Sequence, residues 1–125
     1  MSLSQPPTVL SLSTTVGSPE EARRLALGLL ERRLAACVQI DAAVESHYRW
    51  QGSVQSDTEV RLSIKTRPEA LDAVIGYLSG HHPYDTPQLL WQTLAASPAY
   101  AQWVRAEVPV PAEGPEQDSA PPEAG

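Results

Sequence analysis

The chain has 125 residues, with nine Lys and Arg against 15 Asp and Glu, so its formal net charge is −6. Domains that bind nucleic acid normally carry a basic patch, and this balance argues against such a partner. No apolar run approaches a membrane span, and the N-terminus lacks the features of a secretory signal, so we expect a cytoplasmic protein without membrane association. The single cysteine, Cys37, excludes an intrachain disulfide and a multi-cysteine zinc cage.

Proline and charge separate the C-terminal end from the rest of the chain. Residues 109–125 hold five of the 12 prolines and four acidic residues, with no Lys or Arg. Such a segment buries too little apolar surface to offset its ordering entropy, so we predict an acidic, Pro-rich disordered tail. Residues 1–7 are predicted to be flexible as well. One domain of ordinary size remains, at residues 8–108.

The first predicted elements are a strand and an amphipathic helix. Residues 8–14 place large aliphatic side chains among small polar ones, which indicates a strand. Ser18, Pro19 and Glu21 then form a capping-box start. The helix should run for about four turns, because apolar residues recur at three- and four-residue steps. These residues are Ala22, Leu25, Ala26, Leu29, Leu30 and Leu34.

Two long strands follow, over residues 37–50 and 54–66, joined by a tight turn at residues 51–53. The alternation in the first of them is interrupted at residues 41–43, which predicts a β-bulge. In the second, alternate residues are apolar and the intervening ones are polar. The pair forms a β-hairpin far longer than average strands of about five or six residues would give.

The remaining pattern predicts helix, strand and helix. Thr66 and Glu69 match a second capping box, and Gly80 is the expected end of the helix behind it. After the polar, Pro-containing loop 81–87, residues 88–94 are predicted to form a strand. A short last helix is predicted to begin at Ser97 and Pro98.

The order β-α-β-β-α-β-α defines an α+β fold. It predicts a ferredoxin-like βαββαβ sandwich, with one antiparallel sheet, two helices on one face, a long β2-β3 hairpin and an extra C-terminal helix. The uncovered side would leave apolar area in water, carried by Tyr48, Trp50 and Leu90 or Trp91. Because monomers rarely tolerate a large exposed apolar patch, we expect self-association.

Three segments, at residues 30–40, 46–66 and 81–90, carry a resemblance to a known family. They contain the words LAAC, Y-x-W-x-G, E-V-x-x-x-I-K-T and H-P-Y-x-T-P in that order. Together they resemble the CutA, or divalent-cation tolerance, proteins over about residues 8–108. The resemblance implies a homotrimer, similar in architecture to PII signalling proteins, in which long hairpins of neighbours pair. It also implies a role in the response to metal ions.

His81 and His82 are the candidate metal ligands, because imidazole suits copper, zinc and nickel. The resemblance associates copper with this pair and with a cysteine at the end of the first strand, where this chain has Thr14. It also puts Gln88 where relatives often carry Glu. Because Thr14 and Gln88 are weaker ligands than Cys and Glu, we expect copper or another divalent metal to bind weakly, and only at a pH above the histidine pKa. In the alternative interpretation the two histidines cap the end of the second helix.

Tyr48, Trp50, Lys65 and Tyr84 form a second candidate site. In a trimer these residues, with His82, would meet at clefts between subunits, where aromatic walls and one cation suit a small anion. The analogy with PII proteins supports this hypothesis at the level of fold alone. In the alternative, the aromatic residues pack the interface and Lys65 pairs with an acid such as Glu59 of a neighbour.

The sequence does not indicate an enzyme. Asp57, Glu59, Glu69 and Asp85 could serve as acid or base, but no nucleophile elbow or phosphate-binding glycine loop accompanies them. Cys37 is interpreted as a buried small apolar residue. Two function classes therefore remain open: a metal-linked tolerance protein, and a PII-like oligomeric sensor of a small anionic ligand or partner protein.

Overall fold

The computed structural model of the protein describes residues 5–110, so residues 1–4 and most of the predicted tail lie outside the described residues. The elements are β1 (Thr8–Val16), α1 (Pro19–Glu31), β2 (Cys37–Trp50), β3 (Ser53–Thr66), a 3-10 turn (Pro68–Ala70), α2 (Leu71–His81), β4 (Leu90–Ala95) and α3 (Pro98–Glu107). The four strands form one antiparallel sheet in the order β2-β3-β1-β4, which confirms the ferredoxin-like prediction. None of the helices within residues 5–110 is long and apolar enough to cross a membrane.

The main core lies between the sheet and the helices α1 and α2. One face of β1 and β3 contributes Leu12, Leu62 and Ile64, and α1 contributes Leu25 and Leu29, all almost fully buried. This is the face predicted from the alternation in β3. Burial of such side chains contributes about 1.5–3 kcal/mol each to the free energy of folding before the entropic cost, which makes this layer the main source of stability.

Helix α1 begins as predicted and ends earlier. The Ser18 hydroxyl oxygen accepts a hydrogen bond from the Glu21 amide at 3.2 Å, which confirms Ser18 as the N-cap, and the Glu21 carboxylate pairs with Arg24. The helix stops at Glu31, about one turn before the predicted end, because Arg33 adopts a left-handed φ of 57°. Leu34 therefore packs against the core from the connecting loop and not from the helix.

The second predicted capping box is wrong. Thr66 still belongs to β3, where it pairs with Leu10, and its hydroxyl donates to the Leu34 carbonyl at 2.7 Å. The chain then makes a 3-10 turn, so α2 starts only at Leu71. Gly80 is not the helix end either, because α2 continues through His81.

Strands β2 and β3 form a hairpin of 14 residues each, about 45 Å long at 3.3 Å per residue. The predicted bulge is confirmed by a register shift between Asp41 and Val44, where Ala43 has a φ of 65°. The turn consists of Gln51 and Gly52, both with positive φ, as a two-residue type I′ turn requires. As a result, β3 begins one residue earlier than predicted.

Helix α3 packs on the opposite face of the sheet from α1 and α2. Val9 turns away from the main core and contacts Ala101 and Val104 in a second small cluster. The last carbonyls of α3 accept hydrogen bonds from two distant guanidinium groups, those of Arg33 and Arg67. Cationic groups at a helix C-terminus complement its dipole, so both arginines hold the helix end against the sheet.

Gly28 allows α1 and α2 to approach closely. A Cβ atom at this position would lie 2.7 Å from Cζ of Tyr77 and would also overlap its hydroxyl. The Tyr77 ring is held on both sides, by Arg32 at 4.8 Å and by the stacked ring of His81 at 4.1 Å. We therefore expect Gly28→Ala to lower the free energy of unfolding by about 1–3 kcal/mol through overpacking, measured by urea denaturation.

Gly76→Ala is the matched control for this prediction. Gly76 also lies inside a helix, but a Cβ atom there would meet nothing within 4 Å. This variant should gain up to about 1 kcal/mol from helix propensity alone. If both alanine variants are stabilised to the same extent, the contact between Gly28 and Tyr77 does not constrain the helix pair.

Candidate functional site

A cleft of about 710 Å³ opens where the outer half of the hairpin faces the segment between α2 and β4. It is lined by Thr15, by residues 44–48 and Trp50, by Asp57, Glu59 and Arg61, and by Tyr84, Asp85, Thr86 and Gln88. Three of the four residues predicted for a ligand cleft, Tyr48, Trp50 and Tyr84, are therefore together in one chain.

The bulge in β2 decides which side chains enter this cleft. Before the bulge, Ile40 pairs with the buried Leu62, so the even-numbered residues of β2 belong to the core side. After it, Val44 pairs with Glu59, which lies on the open side of β3. The extra residue thus transfers Tyr48 and Trp50 to the open face, beside the acidic residues of β3.

Two tyrosine hydroxyls in the cleft donate hydrogen bonds to carboxylates. The Tyr84 hydroxyl donates to Glu59 at 2.8 Å, and the Tyr48 hydroxyl donates to Asp57. Burial, followed by the bond to Glu59, raises the pKa of Tyr84 to about 12, and the bond to Asp57 raises the pKa of Tyr48. Both hydroxyls therefore stay protonated at neutral pH, and each fixes the orientation of one carboxylate.

His82 lies directly beside Thr14 at the end of β1. Its Nε2 is 2.9 Å from the Thr14 hydroxyl oxygen, and its Nδ1 accepts a hydrogen bond from the Tyr84 amide at 3.1 Å. Since Nδ1 is an acceptor, the neutral ring carries its proton on Nε2 and donates it to Thr14. Burial lowers the pKa of His82, with a smaller opposing contribution from a backbone hydrogen bond, so the neutral form is favoured.

His81 points to different partners. Its Nδ1 is 2.9 Å from the Tyr77 carbonyl oxygen, one turn earlier in α2, and its ring stacks on the Tyr77 ring. The backbone carbonyl of His81 accepts a hydrogen bond from Arg24. The two predicted metal ligands are adjacent in sequence, but their rings are bonded to separate groups.

Lys65 lies outside the cleft within one chain. Its ammonium donates to the Gln39 side chain at 3.3 Å, and its cross-strand partner is Cys37. Six strand residues separate Lys65 from Glu59, a distance of about 20 Å, which a lysine side chain does not span. Cys37 is half-buried, which is more exposed than the interpretation as a buried residue expected.

Sequence analysis missed the role of Asp57 and Glu59 in the cleft. The sequence offers both as acid or base groups, and Glu59 of a neighbour as a partner of Lys65, but it does not indicate that they accept hydrogen bonds from the two tyrosines. The bulge is the sequence feature that could have indicated this role. Its one-residue register shift places Ser46 opposite Asp57, so the outer half of β2 faces the cleft with the same side as Asp57 and Glu59 of β3. Arg61 also lines the cleft, and it pairs with Asp41 on the core-proximal side of the bulge.

An acid, a histidine and a serine also lie in line on the hairpin. His47 is 2.6 Å from the Glu45 carboxylate through Nε2, and its Nδ1 is 2.7 Å from the Ser56 hydroxyl oxygen. The three side chains are exposed, and the neighbouring backbone pairs across β2 and β3. The arrangement is a cross-strand polar cluster of the hairpin.

The described residues offer no ready-made metal cage. Within residues 5–110, no group of three or more His, Cys, Asp or Glu side chains lies close enough together to hold one metal ion. His82 with Thr14 is the arrangement nearest to the predicted copper site, and Gln88 lines the adjacent cleft.

Comparison with known proteins gives a consistent result. The family model described as CutA1 divalent ion tolerance protein matches residues 10–107. The divalent-cation tolerance protein CutA of Thermus thermophilus is 40% identical over 92 residues, which are 73% of this chain and 89% of that protein. The chloroplastic CutA protein of Arabidopsis thaliana is 37% identical over 73% of this chain, but the match spans only 50% of its own length.

The fold agrees with this assignment. The structure of CutA from Synechococcus elongatus is similar with a TM-score of 0.79 and 40% sequence identity, over 82% of this chain and 92% of that one. By sequence and by structure, this chain belongs to the CutA1 divalent ion tolerance family.

Proposed function

We propose that this chain acts in the response to divalent metal ions, as a trimer that binds metal weakly and does not catalyse a reaction. Its family is named for tolerance of divalent ions, and so is its relative from Thermus thermophilus. The observation that carries the proposal is the contact between His82 and Thr14 at 2.9 Å, because it joins two of the positions that the family resemblance associates with copper.

The chemistry of this contact explains why binding is weak. A neutral imidazole is a good ligand for copper and zinc, and burial favours the neutral form of His82. Both of its ring nitrogens are already hydrogen-bonded, to Thr14 and to the Tyr84 amide, so a metal ion has to displace one of these bonds. The hydroxyl of Thr14 is a far poorer ligand than the thiolate that it replaces, and Gln88 has no charge to add. His81 is held by Tyr77, so recruiting it requires a change of rotamer.

The trimer would account for the apolar surface of the single chain. Trp50, Val54 and Leu90 are 51%, 68% and 58% exposed, more than such side chains usually are in a folded monomer. Strands β2 and β4 are the two edges of the described sheet, and an unprotected edge favours pairing with another chain. Pairing between neighbouring hairpins would bury the β2 edge together with the aromatic residues of the hairpin.

The cleft supports the second candidate function, an oligomeric sensor of a small ligand. Its volume of about 710 Å³ and its aromatic lining are typical of small-molecule sites. For the small anion predicted from the sequence, the positive group would have to be Arg61, since Lys65 of the same chain lies elsewhere.

The trimer is tested with Trp50→Ala. We expect light scattering of the full chain at micromolar concentration to show three copies, and Trp50→Ala to raise the dissociation constant at least about tenfold, as for a buried aromatic anchor. Leu27→Ala, at a residue 57% exposed on α1, is the control that should leave assembly unchanged. A monomeric natural protein would contradict the prediction.

The metal site is tested by copper titration of four proteins. The natural chain should bind Cu(II) weakly, His82→Ala should abolish this binding, and His81→Ala should have the smaller effect. Thr14→Cys should raise copper affinity by about tenfold or more, because it restores a soft thiolate beside His82. Tight binding that survives His82→Ala would place the site elsewhere.

The lowered pKa of His82 also predicts that the folding stability of the protein depends on pH. Its pKa is lowered in the folded state, chiefly by burial, from the usual value of 6.5. Below pH 6.5 the unfolded chain therefore takes up this proton before the folded chain does, and stability falls as pH decreases toward the folded-state pKa. The melting temperature of His82→Gln should fall less than that of the natural protein between pH 7 and pH 5. Parallel curves for the two proteins would contradict this prediction.

A further inference from the structure

The ring of His82 faces the wrong kind of partner for a metal ligand. Its Nδ1 accepts a hydrogen bond from the Tyr84 amide at 3.1 Å, and its Nε2 is 2.9 Å from the Thr14 hydroxyl oxygen. A histidine that coordinates a metal ion through one ring nitrogen normally donates the proton on the other nitrogen to a carbonyl or a carboxylate. Here the nitrogen that does not face Thr14 meets a hydrogen-bond donor instead of an acceptor.

The Tyr84 amide occupies the single free lone pair of the neutral imidazole. A metal ion at Nδ1 would take that lone pair directly. A metal ion at Nε2, beside Thr14, would require the ring proton to move to Nδ1, where it would point at the amide N–H of Tyr84. Coordination through either nitrogen therefore ends the same hydrogen bond, so the Tyr84 amide competes with a metal ion for His82.

The segment that carries this amide is held in place by further contacts. Pro83 lies between the two residues and fixes its own φ at about −65°, so the amide returns to the His82 ring in a stiff turn. The Tyr84 hydroxyl donates to the Glu59 carboxylate at 2.8 Å, and this bond ties the segment to β3 of the hairpin. The centroids of the His82 and Tyr84 rings are 5.1 Å apart. Breaking the amide bond therefore works against contacts that hold Tyr84 where it is.

We propose that Tyr84 opposes metal binding at His82, so that a metal ion binds through His82 only when segment 82–84 gives up its amide bond to the ring. This inference rests on the proposed function, because it takes His82 as the metal ligand. The bond from Tyr84 to Glu59 stabilises the metal-free arrangement and so lowers the metal affinity. By thermodynamic linkage a bound metal ion weakens the attachment of this segment to Glu59, which couples metal binding at His82 to the hairpin.

Hydrogen exchange of the Tyr84 amide, followed by NMR on the isotope-labelled full chain, tests the inference with Zn²⁺ as the diamagnetic probe. Without metal this amide should exchange slowly, and His82→Ala should remove most of its protection. Saturating Zn²⁺ should speed the exchange by at least about tenfold in the natural chain and should not change it in His82→Ala. The Ala101 amide, which donates to the Ser97 carbonyl in α3, is the internal control and should keep its rate.

Tyr84→Phe tests whether the bond to Glu59 opposes metal binding. The variant keeps the backbone amide and loses the hydroxyl, so its zinc affinity in calorimetry should rise by about three- to tenfold, as expected for the loss of one hydrogen bond. Tyr100→Phe is the matched control, because it removes a hydroxyl on α3 and should leave the zinc affinity within about twofold. Light scattering and circular dichroism check that both variants keep their assembly and fold.

The possible results separate this inference from the proposed function. Zinc binding that is absent, or that survives His82→Ala unchanged, would contradict the metal site and the inference with it. Zinc binding that depends on His82 but leaves the Tyr84 amide protected would overturn the inference alone. A lower zinc affinity of Tyr84→Phe would do the same, because it would show that Tyr84 supports the metal ligand and does not compete for it.

Discussion

The extra residue in β2 is the constraint on which the candidate site depends. Without it, the alternation that places Ile40 on the core side would also place Tyr48 and Trp50 there, beyond the helices that could cover them. With it, the inner half of the hairpin seals the core and the outer half presents aromatic residues to the cleft. The left-handed conformation of Ala43 is the local cost of this change of face.

This arrangement separates the stability of the domain from its chemistry. The core side of β1 and β3 is apolar and almost fully buried, whereas the cleft consists of aromatic and charged groups on the open face. His82 stands at the boundary, with one ring nitrogen bonded to Thr14 of the buried layer and the other to the Tyr84 amide of the cleft. A change at His82 therefore affects both layers.

The elements were predictable from the sequence because their signals are local. Ser18 with Glu21, the turn at Gln51 and Gly52, and the alternation around Leu62 each depend on a few neighbouring residues. The capping box at Thr66 failed because a pairing with Leu10, far away in the sequence, keeps that residue in a strand. The same limit applies to the cleft, where the bonds from Tyr84 to Glu59 and from Thr14 to His82 join distant segments.

The pairing order of the sheet also constrains how the chain reaches this structure. The hairpin closes through a two-residue turn, so its contacts form between near neighbours in the chain. The central strand β1 pairs with β3 and β4, which both lie much later in the sequence. Forming these contacts therefore costs more loop-closure entropy than forming the hairpin. The pairing of β1 with β3 and β4 would then limit the rate of folding. The aromatic hairpin would form before the core closes, and during that time it could pair with other chains.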